Sequence, residues 1–78
     1  MLLTISEKLT ELRVGKKYGA KGITRGWVAR WAGVTRAYVW QVEAGKRPPS
    51  DRLLVVYVDR CGGDMDELVR LRLAARGV

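Results

Sequence analysis

Arg36 and Gln41 are the residues of this sequence whose side chains offer the most specific hydrogen-bonding chemistry. A guanidinium presents parallel donors and a carboxamide presents a donor beside an acceptor, so both can form paired hydrogen bonds with a planar partner. Ala37, Trp40 and Ala44 lie at helical spacing from them and share their predicted face. The face therefore combines hydrogen-bonding groups with apolar contact surface.

Two short helices joined at Gly33 are predicted to position this face. The first extends from a Thr24 cap to about Ala32, and the second from Thr35 to about Ala44. Gly33 can adopt the positive φ that ends the first helix, and Val34 can point into the core. The apolar positions recur three and four residues apart, which is typical of one buried helical face: Val28, Ala29, Ala32, Val39 and Val42.

Three further helices are predicted around this pair. Thr4 and Glu7 have the spacing of a capping box, and a first helix follows with one buried stripe. Its inward residues are Ile5, Leu9 and Leu12, and its outward residues are Glu7, Lys8, Glu11 and Arg13. A glycine-rich basic loop then covers residues 15–22. Ser50 caps a fourth helix that ends at about Cys61, and Gly62-Gly63 separates it from a fifth over about 64–76.

The fourth helix is apolar on more than one face and should form the centre of the core. Cys61 on it has no cysteine or histidine partner in the sequence, so we interpret it as a structural thiol. On the fifth helix, Leu68, Leu71 and Ala75 can face inward, which leaves Val69 and Leu73 on a second stripe. That stripe either contacts a second copy or packs against the tryptophans of the second helix.

A helix pair of this kind is a helix-turn-helix, whose second helix can enter the DNA major groove. Arg36 and Gln41 then face guanine or adenine edges, and Ala37 faces a thymine methyl group. Trp40 is suited to a thymine methyl or a sugar, with a dimer or packing contact as the alternative. Phosphate contacts are predicted for Arg25, Lys46, Arg47, Lys16, Lys17 and Lys21. The loop lysines can equally form a solvated loop, and a solvated pair is the lesser alternative for Lys46 and Arg47.

Composition is consistent with a polyanionic partner. The 78 residues include 15 Lys plus Arg and 8 Asp plus Glu, for a formal charge of +7. A single small domain of this length has little room for a supported catalytic pocket, and the chain has no histidine. We therefore expect no enzyme, no metal and no cofactor. No segment approaches the roughly 20 apolar residues of a membrane span, and no secretory leader is evident, so a soluble cytoplasmic protein is expected.

Trp27 and Trp31 are the unusual feature of the second helix. They lie four residues apart, on a face different from the buried one. Two interpretations stay open: packing within the chain, under the basic loop or the C-terminal tail, or contact with another protein.

The order and spacing of these elements resemble the phage lambda repressor and Cro type of helix-turn-helix protein, also called the XRE family. The matching residues are Ile23-Thr24, Val28-Ala29, Gly33-Val34-Thr35-Arg36, Tyr38-Val39 and the run from Val42 to Ser50, followed by the spacing to Asp66-Glu67-Leu68. The resemblance implies phosphate contact by Arg25 and Thr35, base reading by Arg36, Ala37 and Gln41, and a structural role for Glu43. The longer loop at residues 18–22 and the three tryptophans depart from the family pattern.

Together these observations predict an all-α, five-helix domain over residues 1–78, with the helix-turn-helix at about 23–45. The expected function is sequence-specific binding of double-stranded DNA by a small regulator, a repressor acting as a homodimer by operator occlusion. Two alternatives are a protein-interaction module such as an antitoxin, with Trp27, Trp31, Val69 and Leu73 as its contact surface, and an architectural or recombination-directionality factor.

Overall fold

The computed structural model describes residues 4–18 and 21–76, without the side chains of Lys17, Tyr18, Lys21 and Arg76. Within these ranges the chain forms five helices and one short pair of strands. The elements are α1 (Ile5–Gly15), β1 (Lys17–Tyr18), β2 (Lys21–Gly22), α2 (Arg25–Ala32), α3 (Arg36–Glu43), α4 (Asp51–Cys61) and α5 (Met65–Arg76). The all-α fold class predicted from the sequence is confirmed.

Hydroxyl side chains begin four of the helices. In each case the hydroxyl oxygen accepts a hydrogen bond from the backbone N–H three residues later, which otherwise has no partner inside the helix. At α1 the cap is reciprocal, because the Glu7 carboxylate also accepts from the Thr4 N–H at 3.0 Å. The capping residues are Thr4, Thr24, Thr35 and Ser50. All four caps were predicted from the sequence and are confirmed.

The turn between α2 and α3 depends on Gly33. This residue has φ +70° and ψ +34°, the left-handed conformation that side chains disfavour. The turn is closed by the Val34 N–H, which donates to the Ala29 carbonyl at 3.0 Å. Val34 itself packs, partly buried, against the core. The chain thereby changes direction within three residues and sets α3 across α2.

The core is centred on α4, as the sequence predicts. Helix α2 packs against α3 and α4, whereas α1 packs against α3, α4 and α5. Leu53, Leu54 and Tyr57 of α4 are fully buried, and Cys61 is 5% exposed. Burial raises the pKa of the Cys61 thiol, which fits the structural role predicted for it. The remaining buried residues are Ile5, Leu9, Ile23, Val28, Ala29, Ala32, Val39, Val42, Val56 and Leu68.

Two details differ from the sequence predictions. The glycine-rich loop contains the antiparallel pair β1–β2, in which Lys17 faces Gly22 and Tyr18 faces Lys21. Ala75 was predicted to face inward but is exposed, because it borders an open surface pocket together with Ile5, Pro49 and Arg72. Helix α5 itself packs on α1 and α4.

We expect Gly33→Ala to lower the free energy of unfolding by about 1–2 kcal/mol, because alanine pays the left-handed penalty that glycine avoids. The measurement is chemical denaturation followed by circular dichroism. Gly15→Ala is the matched control: Gly15 is the last residue of α1, and a Cβ there meets no atom within 4 Å. The control should leave stability unchanged or raise it by up to about 1 kcal/mol. Equal effects of the two substitutions would contradict the conformational explanation.

Candidate DNA interface

An open groove of about 980 Å³ lies beside the exposed face of α3. The start of α2 forms one wall through Thr24, Arg25 and Gly26, and α3 forms another through Arg36, Ala37 and Trp40. The end of α1 and strand β2 complete the lining with Arg13, Val14, Gly22 and Ile23. Four of the predicted DNA-contacting residues therefore border one concave surface: Arg25, Arg36, Ala37 and Trp40.

Gly26 of α2 and Arg36 of α3 lie side by side at this groove. A Cβ built on Gly26 would lie 3.5 Å from Arg36 Nε and 3.6 Å from Arg36 Nη2. The Arg36 side chain thus rests against the first turn of α2, while the residue as a whole stays exposed. The sequence identified Gly26 only as a weak point of α2; the structure shows that it borders the Arg36 guanidinium at ordinary van der Waals distance.

Glu43, the last residue of α3, organises a buried charge cluster behind the groove. Its side chain is 2% exposed, and it pairs with Arg13 of α1 and Arg25 of α2. Arg13 binds the carboxylate through two nitrogens, with Nε 2.8 Å from Oε2 and Nη2 3.0 Å from Oε1. Arg25 Nε donates to Oε1 at 3.0 Å, and the Tyr57 hydroxyl of α4 donates to Oε2. One carboxylate therefore joins four helices.

The protonation of this cluster follows from its contacts. Burial alone would raise the pKa of Glu43, but the hydrogen bonds from Arg13 and Tyr57 and the charge of Arg13 outweigh it, so the pKa lies below its ordinary value. Burial and the hydrogen bond to Glu43 raise the pKa of the Tyr57 hydroxyl. Glu43 is thus ionised and Tyr57 is neutral at neutral pH. The net charge of the two arginines and Glu43 is positive at the groove.

Aromatic rings support the two basic residues that follow α3. Lys46 Nζ lies 5.5 Å from the ring centre of Trp40, and the Arg47 guanidinium lies 5.1 Å from that of Tyr38. The Tyr38 hydroxyl donates to the Pro48 carbonyl and accepts from the Ser50 N–H, both at 3.0 Å. The segment between α3 and α4 is therefore held beside the end of α3, with Lys46 and Arg47 exposed.

Three other predicted contact residues, Gln41, Thr35 and Lys16, do not line the groove. Gln41 is half-buried and lies outside the groove lining, and Thr35 is exposed with its hydroxyl engaged as the α3 cap. Lys16 is exposed next to the strand pair. The side chains of Lys17 and Lys21 lie outside the described part of the chain.

Trp27 and Trp31 pack within the chain along α2. Their ring centres are 5.6 Å apart with an interplanar angle of 28°. The Arg30 guanidinium lies 6.0 Å from the Trp27 ring, and Arg60 of α4 lies 4.7 Å from the Trp31 ring. Trp31 is partly buried against the core, whereas Trp27 is 40% exposed. Arginines of α2 and α4 therefore lie against the pair. Most of the basic loop and the end of the C-terminal tail, which the sequence suggested as cover, lie outside the described side chains.

The second stripe of α5 divides between core and surface. Val69 packs, partly buried, against the core, and Leu73 is 59% exposed. Leu73 thus remains as an apolar side chain that a second copy could cover.

Sequence reasoning missed the roles of Arg13 and of the Tyr57 hydroxyl. Arg13 was assigned to the outward face of the first helix, yet its side chain is 11% exposed. The spacing could have predicted that Arg13 faces inward. Ile5, Leu9 and Arg13 follow one another at intervals of four residues, so they lie on one stripe of the helix. Arg13 faces inward because Glu43 compensates its charge.

Comparison with known families agrees with this geometry. Residues 5–71 match the family model described as "Helix-turn-helix domain", which covers most of the chain, so the chain belongs to that family. This membership supports DNA as the partner. A search of the curated proteins and a search of the solved structures each gave no match.

Two searches of the described residues were negative. No group of three or more histidine, cysteine, aspartate or glutamate side chains in that part of the chain could hold a metal ion. Among the described helices, none is both long enough and apolar enough to cross a bilayer.

We expect Glu43→Gln to lower the free energy of unfolding by about 3 kcal/mol at pH 7, because it leaves Arg13 without its ionic partner. Since the pKa of Glu43 is depressed by folding, its contribution is complete above the ordinary value of 4.5 and is lost as the pH falls through the folded-state pKa. The wild-type protein should therefore lose more stability than the variant between pH 6 and roughly pH 3.

Denaturant midpoints across that pH range measure the difference. Glu11→Gln is the control, since Glu11 is exposed and its carboxylate lies 3.6 Å from Lys8 Nζ. It should change stability by less than about 0.5 kcal/mol. Parallel acid profiles for the wild type and Glu43→Gln would refute the assignment.

Proposed function

We propose that this chain is a sequence-specific, double-stranded DNA-binding regulator of the lambda repressor and Cro type. The observation that carries the proposal is the groove in which the exposed α3 face, with Arg36, Ala37 and Trp40, adjoins the start of α2 with Arg25. A helix-turn-helix presents its second helix to the major groove and the start of its first helix to the phosphates. The chemistry of these positions fits that arrangement.

Binding begins with electrostatic attraction in this proposal. Arg25, Lys46, Arg47 and the lysines at positions 16, 17 and 21 contact phosphates and fix the register of the protein on the duplex. The formal charge of +7 favours this association. Because these contacts are the same for every sequence, they contribute affinity and a strong dependence on salt.

Sequence is read by the exposed face of α3. Arg36, held against the first turn of α2, is directed to a guanine edge, and Ala37 approaches a thymine methyl group. Trp40 contributes an apolar plate next to Lys46, suited to a methyl group or a sugar. Gln41, half-buried, lies at the edge of this face and can extend to an adenine.

In this proposal the protein regulates transcription by occupying its operator. A homodimer would place two copies of α3 about one helical turn of DNA apart, roughly 34 Å, on a two-fold symmetric operator. The exposed Leu73 of α5 is the side chain we assign to the dimer contact. A small domain bound across a promoter represses transcription by excluding polymerase.

The test is selection of bound sequences from a random duplex pool at near-physiological salt. We expect a palindromic consensus with the wild type, and its loss with the double variant Arg36→Ala, Gln41→Ala. Each good bidentate base contact contributes about 1–3 kcal/mol of discrimination, so removing two should abolish enrichment.

Arg60→Ala is the control for the loss of one positive charge, because Arg60 lies on Trp31 and outside the groove lining. It should retain the consensus. Enrichment of no sequence by the wild type, or the same consensus from the double variant, would contradict base reading by α3.

A further inference from the structure

Arg25 occupies two environments at once. Its Nε donates to the buried Glu43 carboxylate at 3.0 Å, yet 40% of its side chain is exposed and it lines the groove. A guanidinium carries five N–H donors, and the contact with Glu43 uses only one of them. The remaining donors are not used by Glu43, and Arg25, the first residue of α2, borders the groove.

The Glu43 carboxylate is held in place by residues other than Arg25. Arg13 donates hydrogen bonds to the same carboxylate from two nitrogens. Its third nitrogen, Nη1, donates to the Ile23 carbonyl at 3.0 Å. Tyr57, fully buried in α4, holds the second oxygen. The carboxylate is therefore a fixed point in the core, and Arg25 is anchored to it through Nε.

From these contacts we infer that Glu43 is a positioning residue for DNA recognition: it orients Arg25 so that the outer guanidinium edge meets one DNA phosphate. This inference rests on the proposed function and specifies how one of its phosphate contacts is built. The free protein has already restricted the Arg25 side chain, so binding loses less rotamer freedom than it would with a mobile arginine. Arg25 is the contact residue, and Glu43 acts through it.

Simple electrostatics gives the opposite expectation for Glu43. A carboxylate near a polyanion repels it, so replacing Glu43 by glutamine should strengthen DNA binding if charge alone mattered. Positioning predicts weaker binding, because a neutral amide releases Arg25. The sign of the effect therefore separates the two explanations.

The experiment measures the affinity of each folded variant for one duplex carrying the selected site, over a range of salt concentrations. Arg25→Ala should bind about tenfold more weakly and reduce the slope of log affinity against log salt by about one. Glu43→Gln should bind about three- to tenfold more weakly, the range expected for one newly mobile side chain. In the double variant, Glu43→Gln should add no further loss to Arg25→Ala.

Arg25→Lys keeps the test decisive if Glu43→Gln does not fold. Lysine retains the positive charge but has no planar fork with which to hold Glu43 and a phosphate together. We expect this variant to keep the wild-type salt slope and to bind three- to tenfold more weakly. Arg60→Lys and Arg60→Ala are the matched controls outside the groove, and both should bind as the wild type does.

Each opposing result has a distinct meaning. Tighter binding by Glu43→Gln, or wild-type affinity of Arg25→Lys, would overturn the positioning role while leaving DNA recognition by α3 intact. A further loss from Glu43→Gln when Arg25 is already alanine would also overturn it, since Glu43 would then act by another route. Failure of the wild type to bind any duplex specifically would overturn the proposed function and this inference together.

Discussion

A carboxylate withdrawn from water needs compensating charge and hydrogen bonds close by, and Glu43 obtains them from three other helices. With a side chain 2% exposed, it is paired with Arg13 and Arg25 and accepts a hydrogen bond from Tyr57. Loss of any partner would leave a buried charge incompletely satisfied, which costs far more than an ordinary surface contact. The arrangement of α1, α2 and α4 around the end of α3 is therefore specified by one group.

The apolar core alone would constrain this arrangement less tightly. Side chains such as Leu53, Leu54 and Val39 supply most of the burial, but hydrophobic contact has no direction, and similar cores tolerate small shifts of one helix against another. Hydrogen bonds of 2.8–3.0 Å between Arg13 and Glu43 tolerate much smaller shifts of the helices, because their strength depends on distance and angle. In a domain of 78 residues, the buried polar cluster thus adds geometric definition that packing does not provide.

The sequence was most informative where the determinants are local. Threonine and serine caps indicated where four helices start, and Gly33 and Gly62 indicated where α2 and α4 end. The three-and-four spacing of apolar residues indicated most of the buried faces, because all these signals depend on neighbours within one or two turns. Arg13 and the Tyr57 hydroxyl were not recognised, because their partner is 30 and 14 residues away in the chain. The contact of Arg36 with the first turn of α2 was likewise seen only in the structure.

In the proposed mode of DNA binding, Arg25 links the stability of the domain to recognition. Arg25 donates a hydrogen bond to Glu43, and it is also the first residue of α2 and part of the groove wall. A surface arginine would be free to sample many rotamers, whereas this one is anchored in the core at Nε and exposed beyond it. The same charge pair that joins α2 to α3 therefore orients the group that we propose binds a DNA phosphate. Because Glu43 itself terminates α3, the orientation of Arg25 is defined relative to the helix proposed to read the bases.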